Sequence, residues 1–248
     1  MVRRLLAFHA ASHDWAADTA GTENGVMGIE RIGILGAGRA GTALARLAAA
    51  KGLDVQIASS RKPSMMKYHL AQYATQAQAI SADEVAKDVE VVVLLVPQEE
   101  LDDVDPQTLA GTILVDATNR WALEPLPDWF EEGLAAGVSS SVVIARRFPD
   151  SRVVKALNHI SHWDLDANKG SHHSAKRAMG VASDDAQATQ IVAQLVRTLG
   201  FDPVILADLA AGHVLKPEGL IFNEALDADA LRALSTPPGS LSSNDSNV

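Results

Sequence analysis

Arg31-Ile32-Gly33-Ile34-Leu35-Gly36-Ala37-Gly38-Arg39-Ala40-Gly41 is the stretch on which the reading of the fold turns. Its first five residues are apolar enough for a buried strand over Arg31–Leu35. A helical pattern follows at once over Ala40–Lys51, with Leu44, Leu47 and Ala48 on one face and Gly52 as its stop. A G-x-G-x-x-G string alone says little, but between a strand and a helix it acquires a physical meaning. Gly36 allows the tight turn, Gly38 lets the backbone approach a diphosphate, and Gly41 lets the helix pack closely on the strand. The helix start then aims free N–H groups and the positive end of its dipole at the phosphates. Gly36, Ala37, Gly38, Arg39, Ala40 and Gly41 are therefore read as a dinucleotide cradle.

Outward from this loop, short apolar runs alternate with helical patterns, as in a parallel sheet wrapped by helices. Strands are expected at 54–58, briefly at 78–80, and at 91–96, 112–115, 153–157, 179–182 and 203–206; the run Val91–Val96 suits a strand buried on both faces. A helix is expected over Ser64–Gln78. Another should start at Ser183 as N-cap, with Asp184 and Asp185 in its first turn, and end at Gly200. The fold class is α/β: a Rossmann-like, doubly wound, mostly parallel sheet with a small C-terminal lobe. Residues 1–28 read as a disordered tail, 29–148 as the NADP-binding domain, 149–234 as the lobe completing a substrate cleft, and 235–248 as a second disordered tail. Met27, just before the first strand, is an alternative native start.

The end of the second strand bears on which dinucleotide is bound. NAD-binding chains usually carry an acid there, on the ribose 2′-OH. Here the sequence is Ala58-Ser59-Ser60-Arg61-Lys62. Hydroxyls and a guanidinium suit a 2′-phosphate that a carboxylate would repel. Ser60, Arg61 and Lys62 thus favour NADP(H), against the plainer reading of a solvated basic turn. Val96-Pro97 closes the next long strand at the ligand-binding edge, where Pro97 either lies against the cofactor or simply ends the strand. Asn119, in Asp116-Ala117-Thr118-Asn119, is a candidate contact to the nicotinamide side, though turn formation explains it equally well.

Taken in order, Ile34–Gly41, Ser60-Arg61, Val96-Pro97, Val115–Asn119, Val153-Val154-Lys155-Ala156-Leu157-Asn158, Ser183-Asp184-Asp185 and Gly200-Phe201-Asp202-Pro203-Val204 resemble the NADP-dependent reductases of the deazaflavin coenzyme F420. The resemblance spans about residues 31–215. It implies a nicotinamide in a cleft between the cofactor domain and the C-terminal lobe, with a flavin-like or deazaflavin ring beside it and direct hydride transfer. It places Val96 and Pro97 beside the nicotinamide ribose and the turn Asn158-His159-Ile160-Ser161 under the second ring. The sequence departs from the family at Leu157, where an aromatic is common, and at His213, where Arg is common. Both lie toward the second substrate, so the partner's identity stays open.

Hydride transfer between aligned rings needs orientation more than acid–base groups. If a proton donor exists, His159 is the first candidate; service as a loop hydrogen bonder is the equal alternative. Lys155, inside a strand, is read as pairing with an acid, and Arg146 and Arg147 as a solvated pair. His159, His162, His172 and His173 are concentrated enough to test as a metal site, but their spacing fits no standard ligand set, and none is expected. Two other functions stay in view. An imine or hydroxyacid reductase could use the same domain, although only about forty residues follow Leu206. A non-catalytic NADPH sensor is the other.

Composition narrows the surroundings. The 248 residues carry 21 basic and 31 acidic side chains, a formal charge of −10, which disfavours nucleic-acid binding. There is no Cys, which removes disulfides, thiolate sites and Cys nucleophiles and suits a reducing cytoplasm. No apolar run reaches membrane-spanning length, so a soluble protein is expected and membrane-anchored ferric reductases sharing this cofactor domain are set aside. A small-molecule redox partner is expected, and a homodimer through a helix over Glu218–Leu231 is conceivable, that helix otherwise covering its own domain.

Overall fold

The computed structural model describes residues 28–120, 125–167 and 176–236. The elements run β1 (Arg31–Leu35), α1 (Arg39–Ala50), β2 (Asp54–Ala58), α2 (Pro63–Tyr73), β3 (Gln78–Ala79), β4 (Val91–Leu94) and β5 (Ile113–Asp116). They continue with α3 (Asp128–Ala135), α4 (Ser140–Arg147), β6 (Arg152–Lys155), α5 (His162–Ala167), β7 (Ala178–Val181), α6 (Ala186–Thr198), β8 (Asp202–Ile205) and α7 (Ala228–Ser235). Between β4 and β5 the chain makes two short 3-10 turns, Gln98–Asp103 and Pro106–Leu109.

Six strands form a parallel sheet in the order β3-β2-β1-β4-β5-β6. Ile34 of β1 lies opposite Ile57 on one side and Val93 on the other. The chain therefore reverses its winding at β1, and the crevice this opens lies at the carboxyl ends of β1 and β4. Both faces are covered, which is why the strands read as unbroken apolar runs rather than alternating ones. Ile34, Val93, Val115 and Val154 pack with Leu44 and Leu47 of α1, Leu165 of α5 and Val192 and Leu195 of α6. On the opposite face, Val92, Leu94, Leu114 and Val153 pack with Phe130 of α3 and Val143 and Ile144 of α4.

Several boundaries differ from the sequence reading. α2 stops at Tyr73, five residues short of Gln78, and Ala74-Thr75-Gln76-Ala77 turns into β3. The cap of α6 is Asp185, whose carboxylate accepts from the Ala188 N–H at 2.8 Å; Ser183 instead donates its hydroxyl to Val153 O at 2.6 Å. The expected helix over Glu218–Leu231 is a series of turns followed by α7 at Ala228, capped by Asp227. Past the expected division at 148/149, β6 belongs to the large sheet, and Met179, Val181 and α6 share its core. β7 and β8 form their own two-stranded parallel sheet, tied back to β6 by an antiparallel bridge between Lys155 and Ala182. Among the described residues, a small third cluster around Val204, Leu215, Ile221 and Leu231 stands apart from the two main cores. Of the expected tails, 1–28 and 235–248, residues 1–27, including Met27, and 237–248 lie outside the described residues, while Ser235 is the last residue of α7.

Candidate functional site

A cleft of about 910 Å³ runs across the carboxyl ends of the strands. Its walls include Gly36 to Gly41, Ser59, Ser60 and Arg61, Leu95 to Pro97, Ala117 to Asn119 and Leu157, Asn158, Ile160 and Ser161. The structure thus gathers segments more than a hundred residues apart into one groove, the outcome expected for a parallel sheet whose loops all emerge at one edge.

The glycine loop fits a diphosphate on geometric grounds. Gly36 has φ +125°, a conformation that side chains resist, and a Cβ on it would lie 2.5 Å from Leu95 O. A Cβ on Gly41 would fall 1.8 Å from Gly36 O, so only glycine lets α1 start this close to the turn. A Cβ on Gly38, by contrast, would meet nothing within 4 Å: this face of the loop is open to a ligand. Gly38 is the N-cap of α1 and offers no side-chain cap, so the first-turn N–H groups are left for an incoming anion.

Beside it, Ser59 Oγ accepts from the Arg61 N–H at 3.1 Å and donates to Met66 Sδ at 3.2 Å, fixing the turn after β2. Arg61 is exposed and lines the cleft with Ser60. Lys62 does not line it; it is the exposed N-cap of α2. His69 from α2 reaches the cleft and meets Ala37 O at 2.9 Å through Nε2. A carbonyl can only accept, so Nε2 carries the hydrogen.

The other end is built on a buried polar network. Asp116, at the end of β5, is fully buried and accepts from Thr118 N (3.0 Å), Thr118 Oγ1 (2.7 Å), Ser141 Oγ (2.7 Å) and Lys155 Nζ (3.1 Å). Lys155 Nζ also donates to Thr118 O at 2.7 Å, and Gln98 Nε2 to Thr118 Oγ1 at 2.9 Å. Burial lowers the pKa of Lys155; the charge of Asp116 and the hydrogen bond to it oppose that shift without cancelling it. The pairing of Lys155 with an acid is thus present. The network ties together the ends of β4, β5 and β6.

Asn119 and Asn158 interlock above it. Asn119 Nδ2 donates to Asn158 O at 2.7 Å, while Asn158 Nδ2 donates to Asn119 Oδ1 at 3.1 Å and to Leu215 O at 2.7 Å. The preceding Leu157 is held at φ +62°, left-handed and unfavourable for Leu, which turns the chain from β6 into the cleft floor. Such strain persists only where the surroundings impose it. Ser161 then opens α5: its hydroxyl accepts from the Asp164 N–H at 3.1 Å and donates to the Asp164 carboxylate at 2.8 Å. Burial raises the pKa of Asp164, but hydrogen bonds from Arg177 and Ser161 and the Arg177 charge outweigh that and hold it low. α5 is locked onto α1 by the two-pronged pair of Arg46 with Asp166, at 2.8 and 2.5 Å.

Two residues proposed for the second substrate lie elsewhere. His159 points away from the cleft into the core: its side chain is buried, and Nε2 accepts from the Gly180 N–H at 3.0 Å. Burial, then the charges of Arg177 and Lys155, push its pKa down to about 3 despite an opposing backbone hydrogen bond. It is a neutral core histidine and offers no proton to the cleft. His213 is exposed, does not line the cleft, and bonds Ala210 O through Nδ1 at 3.0 Å. Arg146 is exposed, whereas Arg147 lies over the Trp129 ring, 5.6 Å from its centroid. Among the described residues no three His, Cys, Asp or Glu gather to hold a metal; His172 and His173 lie outside them.

Other lining residues were not read as cleft residues from the sequence: Glu99 and Glu100 after Pro97, Trp163 on α5 with His162, which was weighed only as a metal ligand, and Phe222 and Asn223 from the far C-terminal turns. Asn223 is drawn in by its N–H bond to His159 O at 3.0 Å, a contact no spacing could announce.

With that geometry in view, comparison with known proteins places the chain. Residues 31–120 match the family described as NADP oxidoreductase coenzyme F420-dependent. The metalloreductase STEAP3 of Rattus norvegicus is 32% identical over 186 residues, covering 74% of this chain and 35% of that protein. The chain thus spans about a third of that curated relative's length. The protein SMa0349 of Sinorhizobium meliloti has a similar structure, with TM-score 0.68 and 26% identity over 81% of this chain and 96% of that one. A protein of Arthrobacter sp. FB24, provisionally assigned as an F420-dependent NADP-reductase, gives TM-score 0.59 and 25% identity over 75% of this chain and 88% of that one. No helix among the described residues is long and apolar enough to cross a membrane.

Proposed function

We propose, from the match of residues 31–120 to the family described as NADP oxidoreductase coenzyme F420-dependent, that the chain is an NADP(H)-dependent oxidoreductase passing hydride between the nicotinamide and a flavin-like or deazaflavin ring. The observation that carries this reading is the glycine cradle: Gly41 closed against Gly36 O, with Gly38 open toward the groove. The residues present fit the cofactor. Amides from Gly38 to Gly41 would hold the diphosphate, Ser60 and Arg61 the 2′-phosphate, Val96 and Pro97 the nicotinamide ribose, and Asn119 the nicotinamide end. When bound, NADPH supplies the hydride.

The protein's own contribution is orientation and exclusion of water. The Asp116–Lys155 network fixes three strand ends where the nicotinamide end would lie, and Asn119 and Asn158 brace each other across them. Leu157 and Ile160 give the floor an apolar surface, and Trp163 and Phe222 supply rings for an aromatic acceptor to lie against. No side chain need donate a proton, because hydride passes directly between the rings.

Calorimetry with NADPH and NADH, followed by loss of NADPH absorbance with flavins or coenzyme F420, tests the reading. Wild-type protein is expected to prefer NADPH. Arg61→Ala should weaken NADPH by about ten- to a hundredfold, the equivalent of one charge-assisted hydrogen bond, and leave NADH nearly unchanged. Equal losses for both would remove the role given to Arg61. Tight NADPH binding with no oxidation by any acceptor would identify a sensor instead.

A further inference from the structure

The charges along the cleft are ordered, and the order bears on the hydride acceptor. The loops after β2 and β1 bring Arg61 and Arg39 to one end of the groove. The loop after β4, next in the sheet, brings two carboxylates, half-buried Glu99 and exposed Glu100. Beyond them, at the ends of β5 and β6, the lining is polar but uncharged or apolar: Thr118, Asn119, Leu157, Ile160, Trp163 and Phe222. Among the described lining residues, no Lys or Arg stands at this end, and the His162 imidazole lies there, 4.7 Å from the Trp163 ring.

Given hydride transfer from NADPH in this groove, the function on which the inference rests, we infer that the acceptor is a planar ring without an anionic tail, a flavin at the riboflavin level. Glu99 and Glu100 then discriminate against phosphorylated or polycarboxylate forms. Anionic tails are recognised by guanidinium groups and ammonium groups. The two arginines that line the groove sit where the cofactor's own phosphates belong, so neither is left for a second anion. An anionic tail leaving the ring toward β4 meets two like charges, and specificity built by repulsion needs no added attraction. Uncharged ribityl hydroxyls can instead donate to those carboxylates. Trp163, 72% exposed at the cleft wall, is a large apolar face whose exposure is costly until a second ring covers it. The redox step balances: the C4–H bond of the dihydronicotinamide breaks with its electron pair and an N5–H bond forms on the flavin. NADPH is thereby oxidised to NADP+, the flavin is reduced, and water supplies the proton.

The test titrates protein saturated with NADP+ against riboflavin, FMN and coenzyme F420 by fluorescence, with NADPH oxidation measured for each. Riboflavin is expected to bind at least about tenfold tighter than FMN or F420 at low salt, and about threefold or less tighter once salt screens the carboxylates. The double variant Glu99→Gln, Glu100→Gln should narrow the gap in the same way, with a thermal melt to verify folding. FMN or F420 binding as tightly as riboflavin, a gap insensitive to salt, or no riboflavin binding at all would overturn the inference. A reversed order with NADPH oxidation intact would sink this inference alone, whereas failure to bind NADPH would sink the proposed function.

Discussion

Lys155→Met is the sharpest probe of how the cleft floor is held. The substitution keeps the length of the side chain and removes its charge. Asp116 is fully buried, and Lys155 is the cation paired with it, at 3.1 Å. Its remaining partners, the hydroxyls of Ser141 and Thr118 and the Thr118 N–H, are neutral donors. Removing one member of a buried pair typically costs about 3–5 kcal/mol, because the other charge is left without its counterion. For a domain of this size each kcal/mol lowers Tm by roughly 2–4 °C, so a drop of about 6–20 °C is expected in a thermal melt. The second half of the cycle decides the cause. Asp116→Asn together with Lys155→Met leaves an uncharged site that still bonds Ser141 and Thr118, and should recover most of the loss. If Lys155→Met alone cost less than about 1 kcal/mol, or if the double variant were as unstable as the two singles added, the pair would not be the support described.

Gly41→Ala would drive a methyl to 1.8 Å from Gly36 O, so the loop must open; NADPH affinity should fall by at least about tenfold in calorimetry, and an unchanged value would contradict the cradle. His159 gives a pH signature. Its pKa is lowered from 6.5 to about 3, so as pH falls below 6.5 the unfolded chain takes up a proton that the folded protein refuses, and stability is lost. At about 1.4 kcal/mol per pH unit this amounts to about 2 kcal/mol by pH 5, and His159→Gln should flatten that part of the urea-midpoint profile. An equally steep profile in the variant would show that other groups carry the slope.

Much of the fold was legible because its signals are local. The glycine spacing, the β-branched run at Val91–Val93 and the stops at Gly52 and Gly200 each act within a few residues, and each stands where it was read. Ser183 misled because Ser and Asp both cap helices, and only the three-dimensional neighbour, Val153 O, decides which one is drawn away. The site was legible on its cofactor side for the same reason: a glycine loop and a strand-end Ser-Arg are contiguous motifs. Its other side was not. Trp163 is aimed by a helix that Arg46 holds through Asp166, 120 residues away, and Phe222 comes in beside Asn223, whose N–H is held by His159 O. Neither partner leaves a periodicity in the chain. His159 itself shows the limit of residue type as a guide, since the same imidazole next to the same strand end serves the cleft or the core depending on which way a left-handed Leu157 turns it.

That orientation has a consequence for the proposed chemistry. A dihydronicotinamide that gives up hydride becomes a cationic ring, so any fixed positive charge beneath it raises the barrier. Behind the floor Lys155, His159 and Arg177 could supply such charge, and Arg177 is paired with Asp164 at 2.9 Å. Lys155 is committed to Asp116, and His159 is held neutral because the Gly180 N–H takes up the Nε2 lone pair and burial opposes protonation. A histidine facing the cleft would titrate near neutrality and oppose the cation whenever protonated. Turned into the core and kept neutral by burial, it adds no charge of its own to the floor across the range where an ordinary imidazole changes charge. The expected result is that His159→Gln leaves the pH dependence of the NADPH-oxidation rate unchanged at saturating acceptor while the protein stays folded. A rate that titrated near pH 6.5, and lost that titration in His159→Gln, would show that this histidine senses the cleft after all.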